Sequence, residues 1–321
     1  MRVLEANKEI GYQDDWRKFL DLKRFENDCG NFVLLEGYFE EAHQWEQFNF
    51  SKKELKELLK QRLIRLDFDE PSKFGIGDNP DKYDHYFDKI FTICPYTAQW
   101  LNKRQNNNKR ILICYPTNEN YIPKKTNKIY DIIYVGNIVS KHVRKDIETM
   151  TKFNYRLVSF SKDKLVTSRG VSHKTKLKII SQSKITLVHN LLFLNPYHII
   201  NIWRAKDWGK NKAFRLIPHW YEFWKMFTDK NIVIPQTKSR LFESALCRSL
   251  ILCKKDPFNV IENFFEPNKD FIYYKEGELE QKVDDILKNY DKYQKIIESA
   301  YKKAKKYYTT KAFVKDYLSK L

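Results

Sequence analysis

"KSRLFESALCRSLILCKK", Lys238 to Lys255, sets cations, a serine, a glutamate and an apolar run in close succession. A basic turn leads into a short helix-like stretch, and a strand-like run, "SLILC", follows. Lys238, Arg240 and Glu243 therefore stand just ahead of a buried strand. A solvated helix face is one reading of them. A site where cations meet a phosphate and a carboxylate meets a sugar hydroxyl is the other.

The same helix-to-strand rhythm runs through most of the chain. "RLIRLDF", "FDKIFTIC" and "KRILICYP" read as strands, with "PYTAQWLNKRQ" a helix that opens on Pro95. "SKKELKELLKQ" reads as a helix with Ser51 as N-cap and Glu54 three residues on. "GNFVLLEGY" carries one further strand, and little else before residue 60 is legible. A polar stretch with almost no apolar periodicity follows, "TNENYIPKKTNKIYD", which reads as a linker. A second series then begins at "YDIIYVGN". It continues through helix "SKHVRKDIETMTKF", strand "YRLVSFS", helix "HKTKLKIISQS", strand "KITLVHN" and strand "NIVIP". Residues after Glu276 place Val283, Ile286 and Leu287 at helical spacing and predict two or three helices. Runs such as "DIIYV" and "KITLV" fit strands covered on both faces, as in a parallel sheet between helices.

The chain has 321 residues, long for one core, so two domains are expected. We place them at 1–127 and 128–321. Apolar residues make up 42% and aromatics 15%, enough for real cores. The net charge of +18 points to an anionic partner: nucleic acid, anionic lipid or a phosphorylated ligand. The five cysteines form no C-x-x-C pair, so neither a disulfide framework nor a structural zinc is expected. With no apolar signal core and no apolar run of spanning length, the reading is cytoplasmic.

In parallel sheets, ligands sit at the carboxyl ends of strands, where helix N-termini aim their N–H groups. Gly136 and Asn137 follow one strand, and His189 and Asn190 follow another. Only 9 glycines occur, so one directly after an apolar strand invites a close backbone approach. An ordinary strand-end turn is the plain alternative. His189 is a candidate catalytic group or a hydrogen-bonded structural histidine. No second His or Cys stands at ligand spacing from it, so no metal site is expected. No GxGxxG and no GxxxxGK[ST] occurs, which disfavours a classical dinucleotide site and a P-loop. Asp69 and Glu70, in the acidic run with Asp67, are candidate general bases or a solvated turn. Asn190 to Phe227 interleaves four tryptophans with cations, suited to an acceptor site, a membrane surface or a core.

In this order the pieces resemble the C-terminal half of group 1 glycosyltransferases, nearest the CgeB-like set with a GT-B fold. That pattern runs R-x-F-E-x-x-x-x-G, an apolar strand, F-x-P-G-K-D, then Y-x-x-x-x-E-L. Arg240, Phe242, Glu243, Phe265, Pro267, Lys269, Asp270, Tyr274 and Leu279 fit it. The resemblance covers about residues 128–321. It implies an α/β fold of two Rossmann-like domains facing a cleft, a small N-terminal acceptor-side domain and a C-terminal helix crossing back. A nucleotide-sugar donor would lie on the C-terminal domain, at Gly136, Asn137, Asn190, Lys238, Ser239, Arg240 and Glu243. The acceptor would be a glycan, a lipid-linked molecule or a protein in surface polysaccharide or lipopolysaccharide synthesis. No cofactor and no metal is implied; cations and a helix start would hold the diphosphate. Peripheral contact with the inner membrane face fits the charge, and no specific nucleic acid is expected. Two positions depart from the pattern. Pro235 stands where many retaining members carry a first glutamate, which leaves retaining and inverting chemistry both open. Arg248 stands at the glycine. The competing reading is a non-catalytic basic protein that binds nucleic acid or carbohydrate.

Overall fold

The computed structural model of the chain describes residues 1–5, 20–36, 51–67, 84–138, 140–194, 232–256 and 258–321. It divides into two compact units. The first takes in Met1–Tyr115, Leu191–Gln236 and Phe313–Leu321; the second takes in Pro116–Asn190 and Thr237–Ala312.

The first unit is built on a five-stranded parallel sheet in sequential order. Its strands are β1 (Arg2–Glu5), β2 (Val33–Glu36), β3 (Leu63–Asp67), β4 (Lys89–Thr92) and β5 (Arg110–Leu112). Helix α1 (Lys52–Leu58) precedes β3, and α2 (Pro95–Gln105) joins β4 to β5. The Ser51–Glu54 capping box is present: Glu54 N–H donates to Ser51 Oγ at 3.2 Å, and Ser51 N–H to Glu54 Oε2 at 2.8 Å. Strand alternation sorts the apolar side chains onto two faces. Leu34, Ile64, Leu66 and Phe91 join one cluster, while Val33, Leu35, Leu63 and Ile90 join another. Phe313, Val314 and Leu318 complete the first cluster, with Phe313 edge-on to Phe91 at 5.4 Å. The expected return of the C-terminal helix is therefore made by apolar side chains. One interior row is charged. Arg65, Asp67, Asp84 and Arg110 are all buried, with Arg65 bonded to Asp67 and Arg110 to Asp84. Strand β10 (Leu191–Leu194), which the sequence reading did not separate from the aromatic segment, pairs antiparallel with β11 (Ile232–Pro235).

The second unit carries a six-stranded parallel sheet. Its strands are β6 (Tyr130–Val135), β7 (Tyr155–Ser159), β8 (Ser168–Arg169), β9 (Ser183–Val188), β12 (Leu250–Lys254) and β13 (Ile272–Tyr274). The spatial order is β13-β12-β9-β6-β7-β8. From β6 the chain builds outward to β7 and β8, then returns to place β9 on the other side. Helices α3 (Lys141–Met150) and α4 (His173–Ser181) start on serine caps, Ser140 and Ser172. Helix α5 (Ser239–Leu246) leads into β12, as the opening stretch predicts. Three helices follow β13: α6 (Leu279–Lys288), α7 (Gln294–Tyr307) and α8 (Thr310–Asp316). Lys128 ties the entry of this unit together. Its ammonium donates to the carbonyls of Ser181, Ser183 and Arg248 at 2.8, 3.0 and 2.6 Å. That uses every proton the group carries.

The two glycine positions of the pattern are left-handed in this backbone, at φ 52 for Arg248 and φ 62 for Asn268. Asparagine tolerates that region; arginine does so at a cost. Arg248 stands one residue past the Cys247 cap of α5. Its N–H bonds to Ala245 O, and Ser249 N–H to Ser244 O, a Schellman closure. The Arg248 guanidinium stacks on Tyr301 at 3.4 Å from the ring centroid and bonds Glu298 at 3.2 Å. These contacts to α7 offset the strain. Arg248→Ala keeps the strained backbone and loses the stack, whereas Arg248→Gly loses both. We expect the Ala variant to be less stable than the Gly variant by about 1 kcal/mol in urea unfolding. The reverse order would remove the strain argument.

Candidate functional site

In the second unit, β6 and β9 are the neighbours at which the strand order reverses. The crevice outside such a pair is where parallel sheets take their ligands. Gly136 ends β6 at φ 138, a conformation suited to glycine. A Cβ there would lie 2.6 Å from Arg240 Nη2 and 3.0 Å from its Cζ. The guanidinium thus occupies the space that a side chain would fill. It also lies 4.7 Å from the centroid of the Tyr134 ring, on the same strand. Arg240 and Glu243 are three residues apart on α5, so they share a face of the helix.

Glu243 is 3% exposed. Its Oε1 accepts a bond of 2.7 Å from Lys176 Nζ, which reaches over from α4. Among the described residues, Glu243 Oε2, Arg240 Nη1, Asn190 Oδ1 and Thr237 Oγ1 are buried polar atoms without a partner. Such atoms are rare in folded interiors, where an unmade bond leaves a desolvated group unpaired. Asn190 follows β9, Thr237 precedes α5, and Arg240 and Glu243 lie on it; Asp256 Oδ2, Asn259 Oδ1 and Thr310 Oγ1 are further such atoms in this unit. Lys238 is the N-cap of α5 and makes no side-chain cap bond; Ser239, the first helical residue, is half-buried. Asn137 is turned to its own strand ends, where its Oδ1 accepts from Ser159 Oγ at 2.6 Å.

His189 has a different setting. It is buried, and its Nε2 lies 2.8 Å from Tyr274 Oη and 3.1 Å from Asp146 Oδ2. The same Asp146 oxygen accepts from Tyr274 Oη and Lys254 Nζ, each at 2.9 Å. Burial pushes the His189 pKa down against the pull of Asp146. Burial raises the Asp146 carboxyl, but bonds from His189 and Lys254 outweigh it and leave the pKa lowered. This network is saturated at the ring nitrogen it uses and holds α3, β9, β12 and β13 together. The His189 ring lies 5.6 Å from that of Tyr134, on which Arg240 rests.

Asp69 and Glu70 lie outside the described residues. So does the aromatic–basic segment beyond Leu194, with Trp203, Trp208, Trp220 and Trp224. Asp67, first in the acidic run, is buried and ion-paired with Arg65. No group of three or more His, Cys, Asp or Glu residues able to hold a metal occurs among the described residues.

The sequence reading did not single out Lys176, Tyr134, Thr237 or Asp256. Tyr134 reads as strand core, and Lys176 as one of several lysines on a helix. Asp256, just past β12, is 3% exposed. Its Oδ1 accepts from Phe258 N–H at 2.8 Å, and its Oδ2 has no partner among the described residues. Burial pushes its pKa up to about 6, against backbone N–H bonds from Phe258, Asn259 and Val260 that lower it.

A family described as glycosyl transferase-like matches residues 147–319, more than half the chain. None of the curated protein sequences matches. Among solved structures, Anabaena HepE in complex with UDP-glucose is similar at 9% identity. It matches 99% of each chain with a TM-score of 0.59. TarM is similar at 12% identity over 92% of this chain, with a TM-score of 0.50. A Staphylococcus aureus TarM variant in complex with fondaparinux, alpha-GlcNAc-glycerol and UDP is similar at 12% identity over 92% of this chain, also at 0.50. This chain spans 56% of the length of TarM and 57% of that variant. These likenesses bear out the fold expected from the sequence, an α/β fold of the GT-B kind.

Asp256 makes the stability of the second unit pH-dependent in a definite direction. A carboxyl with a folded pKa near 6, above its unfolded value, binds more protons folded than unfolded between about pH 4 and 6. Stability from this group is full below about pH 4 and is lost as pH rises through about 6. Asp256→Asn keeps the oxygen that Phe258 bonds and removes the charge. We expect the variant to be more stable than wild type at pH 7.5 by about 1–3 kcal/mol, and equal to it near pH 4. Denaturant unfolding at both pH values reads this, and a pH-independent difference would contradict it.

Proposed function

The chain belongs to the glycosyl transferase-like family, and from that premise we propose that it moves a sugar from a nucleotide-sugar donor to an acceptor. The observation that carries the reading is Arg240 lying across Gly136, with a partnerless Glu243 oxygen one turn further along α5. A nucleoside diphosphate offers the complement of both. Its ribose hydroxyls donate to Glu243 Oε2, and its phosphates accept from Arg240 Nη1 and from the N–H groups that open α5. Lys238 and Ser239 stand at that opening. Asn137 and Asn190 flank the same strand ends as donor-contacting residues.

The chemistry follows from where charge develops. When the sugar–phosphate bond breaks, the leaving diphosphate gains negative charge. A cation fixed beside it lowers that barrier more than it strengthens substrate binding. Arg240 and the start of α5 supply this stabilisation, so divalent metal is not required. Pro235, in place of a first glutamate, leaves the stereochemical outcome open. His189 acts on this reading through Tyr134 packing, and Asp69 and Glu70 remain the candidate bases on the acceptor side.

HepE is known with UDP-glucose and TarM with UDP and alpha-GlcNAc-glycerol. We take a uridine nucleotide as the first donor to test and a glycan, lipid-linked molecule or protein as the acceptor. The family membership favours this reading over a non-catalytic nucleic-acid binder. No helix among the described residues is long and apolar enough to cross a membrane. A cytoplasmic place, with the +18 charge against the inner membrane face, completes the proposal.

Thermal shift with UDP-, GDP-, ADP- and CMP-sugars tests the donor class. A true donor at 100-fold its Kd adds about 2.7 kcal/mol. Glu243→Gln should weaken nucleotide binding roughly 10- to 150-fold by calorimetry, the value of a charge-assisted hydrogen bond. Arg240→Ala should lower turnover more than donor affinity. Both variants losing stability while nucleotide affinity stays at the wild-type value would end the donor-site assignment. Transfer should persist in EDTA, and activity lost there and restored by Mn²⁺ would overturn the metal-free mechanism.

A further inference from the structure

Glu243 has two oxygens, and the fold treats them differently. Oε1 is held by Lys176 at 2.7 Å, while Oε2 has no partner among the described residues. The glutamate side chain is 4% exposed and that of Lys176 is 19% exposed. Water therefore reaches the lysine more than the carboxylate. The pair joins two helices that are distant in sequence, α4 and α5.

Both ends of the clamp are fixed. Ser172 caps α4, its Oγ accepting from Thr175 N–H at 3.2 Å, one residue before Lys176. Glu243 sits mid-helix in α5, whose C-terminus is closed by the turn at Arg248. His173, also at the start of α4, does not compete as a cation. Burial first, and then the Lys176 ammonium, push its pKa down to about 4 against the pull of Glu243. Cys247, one turn after Glu243, is buried with its thiol pKa pushed upward, so it adds no charge.

A planar carboxylate held at one oxygen has its other oxygen aimed. We propose that Lys176 is a positioning residue for donor specificity: it holds Glu243 so that Oε2 alone meets the hydroxyls of a ribose. The inference rests on the donor-site reading of Glu243. It adds that the choice of ribose over deoxyribose is made across two helices, by a lysine that does not touch the ligand. A buried ion pair contributes little net stability, because desolvation offsets the attraction; fixing geometry is what it does well. Without the ammonium, the carboxylate can rotate, and the aimed acceptor is lost.

The test uses the full chain. Among UDP, GDP, ADP and CDP, the nucleotide giving the largest thermal shift is titrated by calorimetry beside its 2′-deoxy and 3′-deoxy forms. The wild type should bind the ribose form at least about 10-fold more tightly than one of the deoxy forms, the worth of one hydrogen bond to a charged group. Lys176→Met should lose most of that ratio by weakening the ribose form alone, and Lys176→Arg should restore it. A purely structural lysine would lower stability and weaken all the nucleotides equally. Where Lys176→Met does not fold, Lys176→Gln removes the charge at similar length, and an unchanged ratio in either variant overturns the proposal. Absence of binding by all four nucleotides to the wild type would instead overturn the donor-site reading itself, before any variant is compared.

Discussion

An arginine can lie across the end of a buried parallel strand only if that strand ends without a side chain. Gly136 meets this condition, and its φ of 138 is one that few other residues adopt. The rest of the second unit follows from that contact. β6 must be central, so that its end faces the crevice where the strand order turns. α5 must start beside it, so that Arg240 in its first turn reaches over Gly136 and onto Tyr134. Once Arg240 is there, Glu243 is set by helical spacing alone. The helix that delivers both is rigid because Phe242, Ala245 and Leu246 bury its other faces.

The α/β alternation was legible in the sequence because doubly covered strands read as apolar runs. "YDIIYVGN", "KITLVHN" and "SLILC" all became strands of one sheet. The helix bearing Arg240 and Glu243 was legible too, from its cations and its place before a strand. β1 escaped because four residues carry no periodicity, and β10 because its apolar run merges into an aromatic stretch. Lys176 escaped for a different reason. Its role depends on which way α4 faces, and nothing in "HKTKLKII" separates one lysine from another. Tyr134 was hidden by being in the strand that was read correctly. An aromatic in a core strand is ordinary until an arginine is found on its face.

Buried polar groups in this unit fall into two kinds. In the His189 network, one Asp146 oxygen receives a tyrosine hydroxyl and a lysine, with the imidazole also in reach. Asp270, in the turn that fits the family pattern, accepts from Ser299 at 2.6 Å and from Glu266 N–H at 3.0 Å, which fastens that turn to α7. Lys128 spends its three protons on three carbonyls. These groups are complete, and completion is what a structural polar residue requires. Arg240, Glu243, Asn190 and Thr237 are each left with an atom unmade, as are Asp256, Asn259 and Thr310.

Incompleteness of this kind has an energetic meaning. A buried acceptor or donor without a partner costs about 1–3 kcal/mol, more for a charged group. Four such atoms would be a heavy burden for one small sheet if nothing ever met them. These four gather where strand ends, a helix start and a glycine converge, while Asp256, Asn259 and Thr310 carry further ones in the same unit. The unit also accepts Arg248 in a left-handed turn at the far end of the same helix, and offsets it with a stack on Tyr301. Strain at the C-terminus of α5 is thus relieved within the protein, whereas unmet bonds at its N-terminal side are not. On the donor-site proposal, a ligand that brings hydroxyls and phosphate oxygens would supply the bonds that Arg240, Glu243, Asn190 and Thr237 leave unmade.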